Sequence, residues 1–536
     1  VETNQYDFII VGAGSAGCVL AERLSKDGRY RILVLEAGGS DHKFWIKLPL
    51  GYGKTFYDDR VNWKFETEPD PGCNGRKSYW PRGKVLGGSS SINALVYCRG
   101  LPHDFDDWQE AGAAGWGWND VHPHFEQLER RVSANGEVTG EGPLSVTDVS
   151  NQMHHCTENF LDAATVLGFA RTRDFNGDHP EGVGSYHLTT RNGIRCSAAD
   201  AFLRPAIRRE NATVLTNAEV HRVIFDGTRA VGVEYVKEGQ LITARAKKEI
   251  ILCAGAVKSP QILQLSGVGP GEILQSHGID VVCENKHVGG NLQDHLAINY
   301  SYRATQPTLN NQLSPWWGKV WAGLKYTSIR RGPLSLSVNQ CGGFVRSSPD
   351  LDQPDMQLYF NPISYNTSSK RKVELHPFPG FLISFQPARP TSRGRIDICS
   401  PNPDVPPKIE PNYLSSQKDC DDVVRGGRLI QSFVQTESLR SLIAAPLPPD
   451  PLSYDDDSLL DDFRERAGTV FHPVSTCRMG ENITSSVVNP SLTVHGTSAL
   501  RVVDASAFPC ITSGNTNAPT IMLAHKAADI ILSAYN

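Results

Sequence analysis

The stretch YDFIIVGAGSAGCVLAERLS, residues 6–25, constrains the fold of this 536-residue chain more than any other segment. Phe8 to Val11 form a short apolar run, Gly12-Ala13-Gly14-Ser15-Ala16-Gly17 follows at once, and Val19, Leu20 and Leu24 then recur at helical spacing. The pattern predicts a strand, a glycine turn and a helix. Gly12 permits the tight turn, Gly14 lets a pyrophosphate approach the backbone, and Gly17 lets the helix pack on the strand. Ser15 and Ala16 open the helix, where free N–H groups face the phosphates.

A second strand, Arg31 to Leu35, ends in Glu36, nineteen residues after Gly17, which is where a ribose-binding acid is expected. A carboxylate there accepts hydrogen bonds from ribose hydroxyls and repels a 2′-phosphate. The motif therefore favours FAD or NAD over NADP, and does not choose between the first two.

Composition narrows the remaining classes. Hydrophobic residues make up 39% and charged residues 21%, the profile of a globular protein, and the length allows several domains. The net charge is -5 and the basic residues form no long cluster, so the expected partner is a small molecule and not nucleic acid. Twelve cysteines with no C-x-x-C pair fit reduced, mostly buried thiols. No apolar run is long enough for a membrane span, and the polar opening VETNQ predicts a soluble, cytoplasmic protein or one whose leader has been removed.

Two further stretches decide the cofactor. RGKVLGGSSSIN, Arg82 to Asn93, is a second glycine and serine loop, and GAVKSPQILQLSGVG, Gly255 to Gly269, follows an expected strand from Glu249 to Cys253. With these segments the chain resembles the glucose–methanol–choline (GMC) oxidoreductases, and the branch of choline dehydrogenase and hydroxymethylfurfural oxidase in particular. The resemblance extends through NLQDH (291–295), PTSRGRI (390–396) and a C-terminal run from FHP through LRVVDASAFP to NTNAPT. It implies FAD. It assigns Gly12, Gly14, Gly17 and Glu36 to the ADP half, Gly88, Ser89 and Asn93 to the flavin side, Val220 to adenine, and Asp504 with Ala505 to the pyrophosphate. Asn515 and Thr516 complete the implied cofactor contacts. Some relatives attach FAD through a histidine in the glycine loop; the matching residue here is Ile92, so a non-covalent flavin is expected.

The nucleotide-type segments lie at the two ends and in the middle of the chain. The expected fold class is α/β: a discontinuous Rossmann-like FAD-binding domain (1–150, 191–296 and 466–536) and an α+β substrate domain (151–190 and 297–465) containing an antiparallel sheet. The runs FPGFLISFQPA and GRIDICS, separated by proline-rich turns, are the strand signals for that sheet. Trp316, Trp317 and Trp321 are expected in core or an interface ahead of substrate contact.

Alcohol oxidation moves a hydride from carbon to flavin N5 while the hydroxyl proton leaves. An alcohol resembles water in acidity, pKa roughly 15.7, against about 6.5 for histidine, so proton transfer alone is uphill by about 12 kcal/mol. A base and a donor must therefore act side by side on the oxygen. His472, in FHPVSTC, is the expected base. Asn515, forty-three residues later at a position that is His or Asn in the family, is the expected donor, with Asn517 near enough to be confused with it. His122, His124, His154, His155 and His495 read as surface or structural residues, and no metal site is expected.

Choline would call for a carboxylate and aromatic rings around its ammonium group. Ala297 stands where choline oxidase carries an acid, and Val338-Asn339-Gln340 is neutral where choline enzymes carry acidic or aromatic residues. The expectation is thus a neutral primary alcohol, aryl or otherwise activated, with choline oxidation and non-redox hydroxynitrile cleavage as alternatives. Val470 does not decide whether the electron acceptor is O2 or another molecule.

Overall fold

The computed structural model describes residues 5–367 and 373–535. β1 (Gln5–Val11), α1 (Ser15–Ser25) and β2 (Ile32–Leu35) realise the opening motif. β1 and β2 pair in parallel, with Phe8 opposite Ile32 and Val11 opposite Leu35. Both strands are almost wholly buried, which is why they read as apolar runs instead of alternating patterns. The parallel sheet runs Ala212–Leu215, β2, β1, then β3 (Gln240–Leu252) and β4 (Leu500–Val502), so five strands come from three distant parts of the chain.

β3 begins nine residues before the expected strand at Glu249. Its first half closes an antiparallel meander with Ala218–Asp226 and Arg229–Lys237, and its last residues, Ile250 to Leu252, lie between β1 and β4. One strand thus serves two pairing modes, and only its buried end carries an apolar run. α2 (Gly255–Leu265) leaves the end of β3, and α3 (Asn517–Ala534) packs beside α1. Phe8, Ile10, Leu20, Val34, Ile251 and Ile521 lie in the core between these elements.

The second large sheet is antiparallel, in the order Ile443–Leu447, Leu296–Ala304, Gly380–Pro387, Met356–Asn361, Cys341–Val345 and Gly182–Ser185, with Gly468–Thr469 pairing the start of Leu296–Ala304. FPGFLISFQPA supplies its central strand, buried at every position. The helix Gln417–Gln435 lies against that strand, closely enough that a Cβ on Gly426 would meet the Phe385 ring at 2.2 Å. GRIDICS contributes less than expected: only Arg395–Asp397 is extended, in a separate two-stranded ribbon with Lys408–Glu410.

The tryptophans are not core. They lie on the helix Trp316–Ile329, where Trp316, Trp317 and Trp321 are 76%, 59% and 70% exposed. Gly318, Ala322 and Tyr326 make the inward contact, and a Cβ on Gly318 would lie 2.1 Å from the Gln312 carbonyl oxygen. Small residues are needed where the backbone approaches this closely, so the large rings point outward. All twelve cysteines are free thiols, most of them buried. Among the described residues no helix is long and apolar enough to cross a membrane.

Candidate active site

A cavity of about 1290 Å³ is lined from both sheets. It exceeds the roughly 300–1,000 Å³ of a drug-sized pocket, as a dinucleotide together with a substrate requires. Its nucleotide end is a wall of bare backbone. Gly12 has φ +99°, and a Cβ there would meet the Cys253 carbonyl oxygen at 2.5 Å; a Cβ on Gly17 would lie 1.9 Å from the Gly12 oxygen. Gly88, in the second glycine loop, stands so close to the first that its Cβ would reach Gly14 Cα at 2.7 Å. The turn meets the Cys253 carbonyl, and the second glycine loop meets the turn, because Gly12 and Gly88 carry no side chain.

Glu36 sits at the end of β2 on this wall. Its two carboxylate oxygens accept from the Ala13 and Gly38 amides, both at 2.8 Å, and each keeps a lone pair for a ribose hydroxyl. Burial pushes its pKa up to about 7 against these stabilising hydrogen bonds. Ser15 donates to Asn517 Oδ1 at 2.7 Å, which ties the start of α1 to the start of α3. Asn517 is therefore occupied at the glycine turn, and Asn515 is the asparagine that reaches the histidine.

Asp504 is more completely engaged than the sequence suggested. Its Oδ2 accepts from the Gly255 amide and the Ser259 hydroxyl, and its Oδ1 from the Ser506 amide and hydroxyl. The carboxylate fastens the start of α2 to the segment after β4. Ser89, Asn93, Val220, Ala505 and Thr516 also line the cavity; Gly17 does not, and instead lies under the turn. Arg195, which sequence reasoning missed, is fully buried and fixes the second glycine loop, donating to Asn93 Oδ1 at 2.7 Å, to the Asn93 carbonyl at 2.7 Å and to the Ser90 carbonyl at 3.1 Å.

At the other end His472 is aimed by strained backbone. Phe471 has φ +70°, a costly value for a bulky residue, and it is held there by the Arg82 guanidinium on its carbonyl at 2.7 Å and by the Thr469 hydroxyl on its amide at 2.8 Å. The buried Asp294 carboxylate accepts from the His472 amide at 2.7 Å and from the Thr469 and Tyr413 hydroxyls, each at 2.6 Å. Asp294 and His295 both come from NLQDH, and the structure gives each a function as support for His472.

The imidazole hydrogen bonds form one chain. His295 Nε2 lies 2.8 Å from the Ala388 carbonyl, so that nitrogen carries the proton and Nδ1 is the acceptor. His472 Nδ1 lies 3.1 Å from His295 Nδ1 and must be the donor. His472 Nε2 is then left with its lone pair, 3.1 Å from the Asn515 amide nitrogen. Burial, His295 and Arg82 hold His472 well below the ordinary histidine pKa, and burial lowers His295 to about 4. Both rings are neutral near pH 7. Among the described residues, the Asn515 Oδ1 is buried with no hydrogen-bond partner.

Outside the cavity, His124 Nδ1 and His525 Nδ1 are 3.0 Å apart and Asp529 is beside them. Arg23 already pairs with Asp529 and lies 3.3 Å from His525 Nε2, so the carboxylate charge there is neutralised by the protein itself.

A glycine-walled dinucleotide cleft closing on a neutral, oriented imidazole is the apparatus of a nucleotide-dependent oxidoreductase. The chain belongs to the GMC oxidoreductase family, which is FAD-dependent: the family's N-terminal pattern matches residues 6–297 and its C-terminal pattern residues 390–524. It is 41% identical to an alcohol dehydrogenase [acceptor] of Pseudomonas putida, over 98% of this chain and 96% of that protein. It is 39% identical to an oxygen-dependent choline dehydrogenase of Vibrio vulnificus, over 99% and 94%. Among solved structures, pyridoxine 4-oxidase from Mesorbium loti superposes with a TM-score of 0.88 at 29% identity, over 98% of each chain. A formate oxidase, with a TM-score of 0.92 at 24% identity and coverage of 100% and 99%, shares the fold.

Proposed function

We propose that this enzyme oxidises a neutral primary alcohol to an aldehyde, with His472 as the base, Asn515 as hydrogen-bond donor to the reacting oxygen and FAD held without a covalent bond. The observation that carries the reading is the chain Ala388–His295–His472–Asn515, because it leaves one unprotonated nitrogen facing a donor amide inside the cavity. FAD, when bound, supplies the hydride acceptor. Gly12, Gly14, Ser15, Ala16, Gly17 and Glu36 would hold its ADP half, Val220, Asp504 and Ala505 the neighbouring contacts, and Gly88, Ser89, Asn93 and Thr516 the flavin side.

An alcohol placed between His472 and Asn515 donates its proton to Nε2 and accepts from the amide N–H. The depressed basicity of His472 keeps that nitrogen free to receive a proton, while making full transfer unfavourable before the C–H bond breaks. Deprotonation must therefore be coupled to hydride loss. Arg82, on the cavity wall, opposes charge on the imidazole and favours negative charge on the substrate oxygen. Ile92, 2% exposed among Ile46, Val61 and Val85, offers no nucleophile for a covalent link.

The neutral substrate is supported by the wall. Ala297, Val338 and Asn339 line the cavity, and its carboxylates among the described residues are Glu36, Glu219, Glu374 and Asp504, none of them bonded to the His472 chain. Choline is the second reading, favoured by relatives such as the Vibrio enzyme and by Tyr52, Phe56 and Phe471 on the same wall. We assign the flavin domain to 1–150, 191–296 and 466–536, with the remainder over the substrate.

The test is anaerobic mixing of the purified yellow protein with aryl and alkyl primary alcohols, hydroxymethylfurfural and choline, followed by visible absorbance. Bleaching by neutral alcohols supports the proposal, and admission of air then separates O2 from another acceptor. Bleaching by choline alone would select the second reading, and bleaching by none would remove alcohol oxidation as the activity.

A further inference from the structure

The helix Trp316–Ile329 is inverted relative to a normal surface helix. It buries Gly318, Ala322 and Tyr326 and turns Trp316, Trp317, Val320, Trp321, Leu324 and Ile329 to the outside, each more than half exposed. An isolated exposed leucine is ordinary, but six large apolar side chains on fourteen residues form a patch that calls for a partner. The patch adjoins the cavity: Leu313, Ser314 and Lys319 are on its lining, as is Trp45, itself 42% exposed beside the exposed Phe44.

Charge identifies the partner. Although the chain carries a net charge of -5, residues 295–349 contain no Asp or Glu. Lys319, Lys325, Arg330 and Arg331 are exposed on the helix and at its end. Tryptophan with flanking Lys and Arg is the composition favoured where protein meets phospholipid headgroups. A second copy of the chain is a poorer fit, since a two-fold contact would set these four cations against themselves.

We propose that this helix face docks on an anionic phospholipid bilayer, lying in the headgroup plane with the adjoining cavity mouth turned toward the lipid. The helix is too short and too basic to span, so the contact is peripheral. Insertion of the indole rings supplies apolar burial, and the cations supply attraction that salt screens.

The experiment is co-sedimentation of the flavin-loaded enzyme with vesicles of phosphatidylcholine alone or mixed with phosphatidylglycerol. Binding is expected to the mixed vesicles and to fall as salt rises. The triple variant Trp316→Ser/Trp317→Ser/Trp321→Ser should bind about tenfold more weakly or worse. Lys325→Gln/Arg331→Gln, which leaves the apolar face and the cavity lining intact, should bind about 30-fold more weakly. Both variants should keep the wild-type rate of flavin reduction by a soluble alcohol, which shows that they are folded. Equal binding to neutral and anionic vesicles, no binding to either, or unchanged binding by both variants would overturn the proposal. A wild-type dimer that the tryptophan variant converts to a monomer would also overturn it, in favour of a self-interface.

Discussion

At the scale of single residues, the site depends on where protons are held. The base role proposed for His472 requires a neutral ring, and its environment lowers its pKa, so its base form persists to more acid pH than that of a free histidine. The flavin reduction rate should therefore stay level as pH falls through about 6.5 and drop only in more acid solution. A break centred on the ordinary histidine value, seen by stopped-flow across that range, would contradict the buried, neutral assignment. His295 is a positioning residue. Replacing it with leucine leaves the His472 Nδ1–H without its acceptor, and should slow reduction about tenfold or more and shift the acid limb of the pH profile with flavin still bound. His295→Gln, whose amide oxygen can accept, should recover part of that loss. At the other end of the cavity, Glu36→Ala should weaken FAD binding about 10- to 100-fold through the two lost carboxyl hydrogen bonds, read by flavin fluorescence titration.

At the scale of elements, the two glycine loops behave as one unit because Gly88 leaves no room for a side chain against Gly14. Gly88→Ala adds a Cβ at φ +53°, 2.7 Å from Gly14 Cα, and should yield protein of lowered flavin content and lowered melting temperature. A fully flavinated, equally stable variant would show that the loops can part at no cost. Local patterns made these elements legible. The βα turn and the central strand Gly380–Pro387 were readable because burial on both faces produces continuous apolar runs. The first half of β3 was not, since its outward residues are polar and its partners lie in a meander formed at a distance. The tryptophan helix was half legible: aromatic content suggested core or an interface, and packing through Gly318 and Ala322 excludes the core. The hydrogen-bond chain through His295, the clamp by Asp294 and the buried Arg195 join residues far apart in sequence, and no spacing rule reports them.

At the scale of the molecule, the cavity is assembled from both sheets, and its chemistry is tied to the stability of the whole. Burial lowers the histidines at 154 and 295 to about 4 and the one at 525 to about 3, below their unfolded values. At these three sites the unfolded chain binds more protons in the window between those values and about 6.5, so the three rings lower folding stability as pH drops through it, against the opposite contribution of buried carboxyls such as Glu36, raised to about 7. Urea midpoints should be lower at pH 5 than at pH 7, and a flat or inverted profile would mean that the three rings do not outweigh the buried carboxyls. The base role proposed for His472 is open to single-turnover reduction of the bound flavin with a reactive primary alcohol, comparing the native enzyme with His472→Ala at equal flavin content. A rate lower by about 10²- to 10⁴-fold, with flavin binding retained, is the predicted result; an unchanged rate would remove His472 from the chemistry.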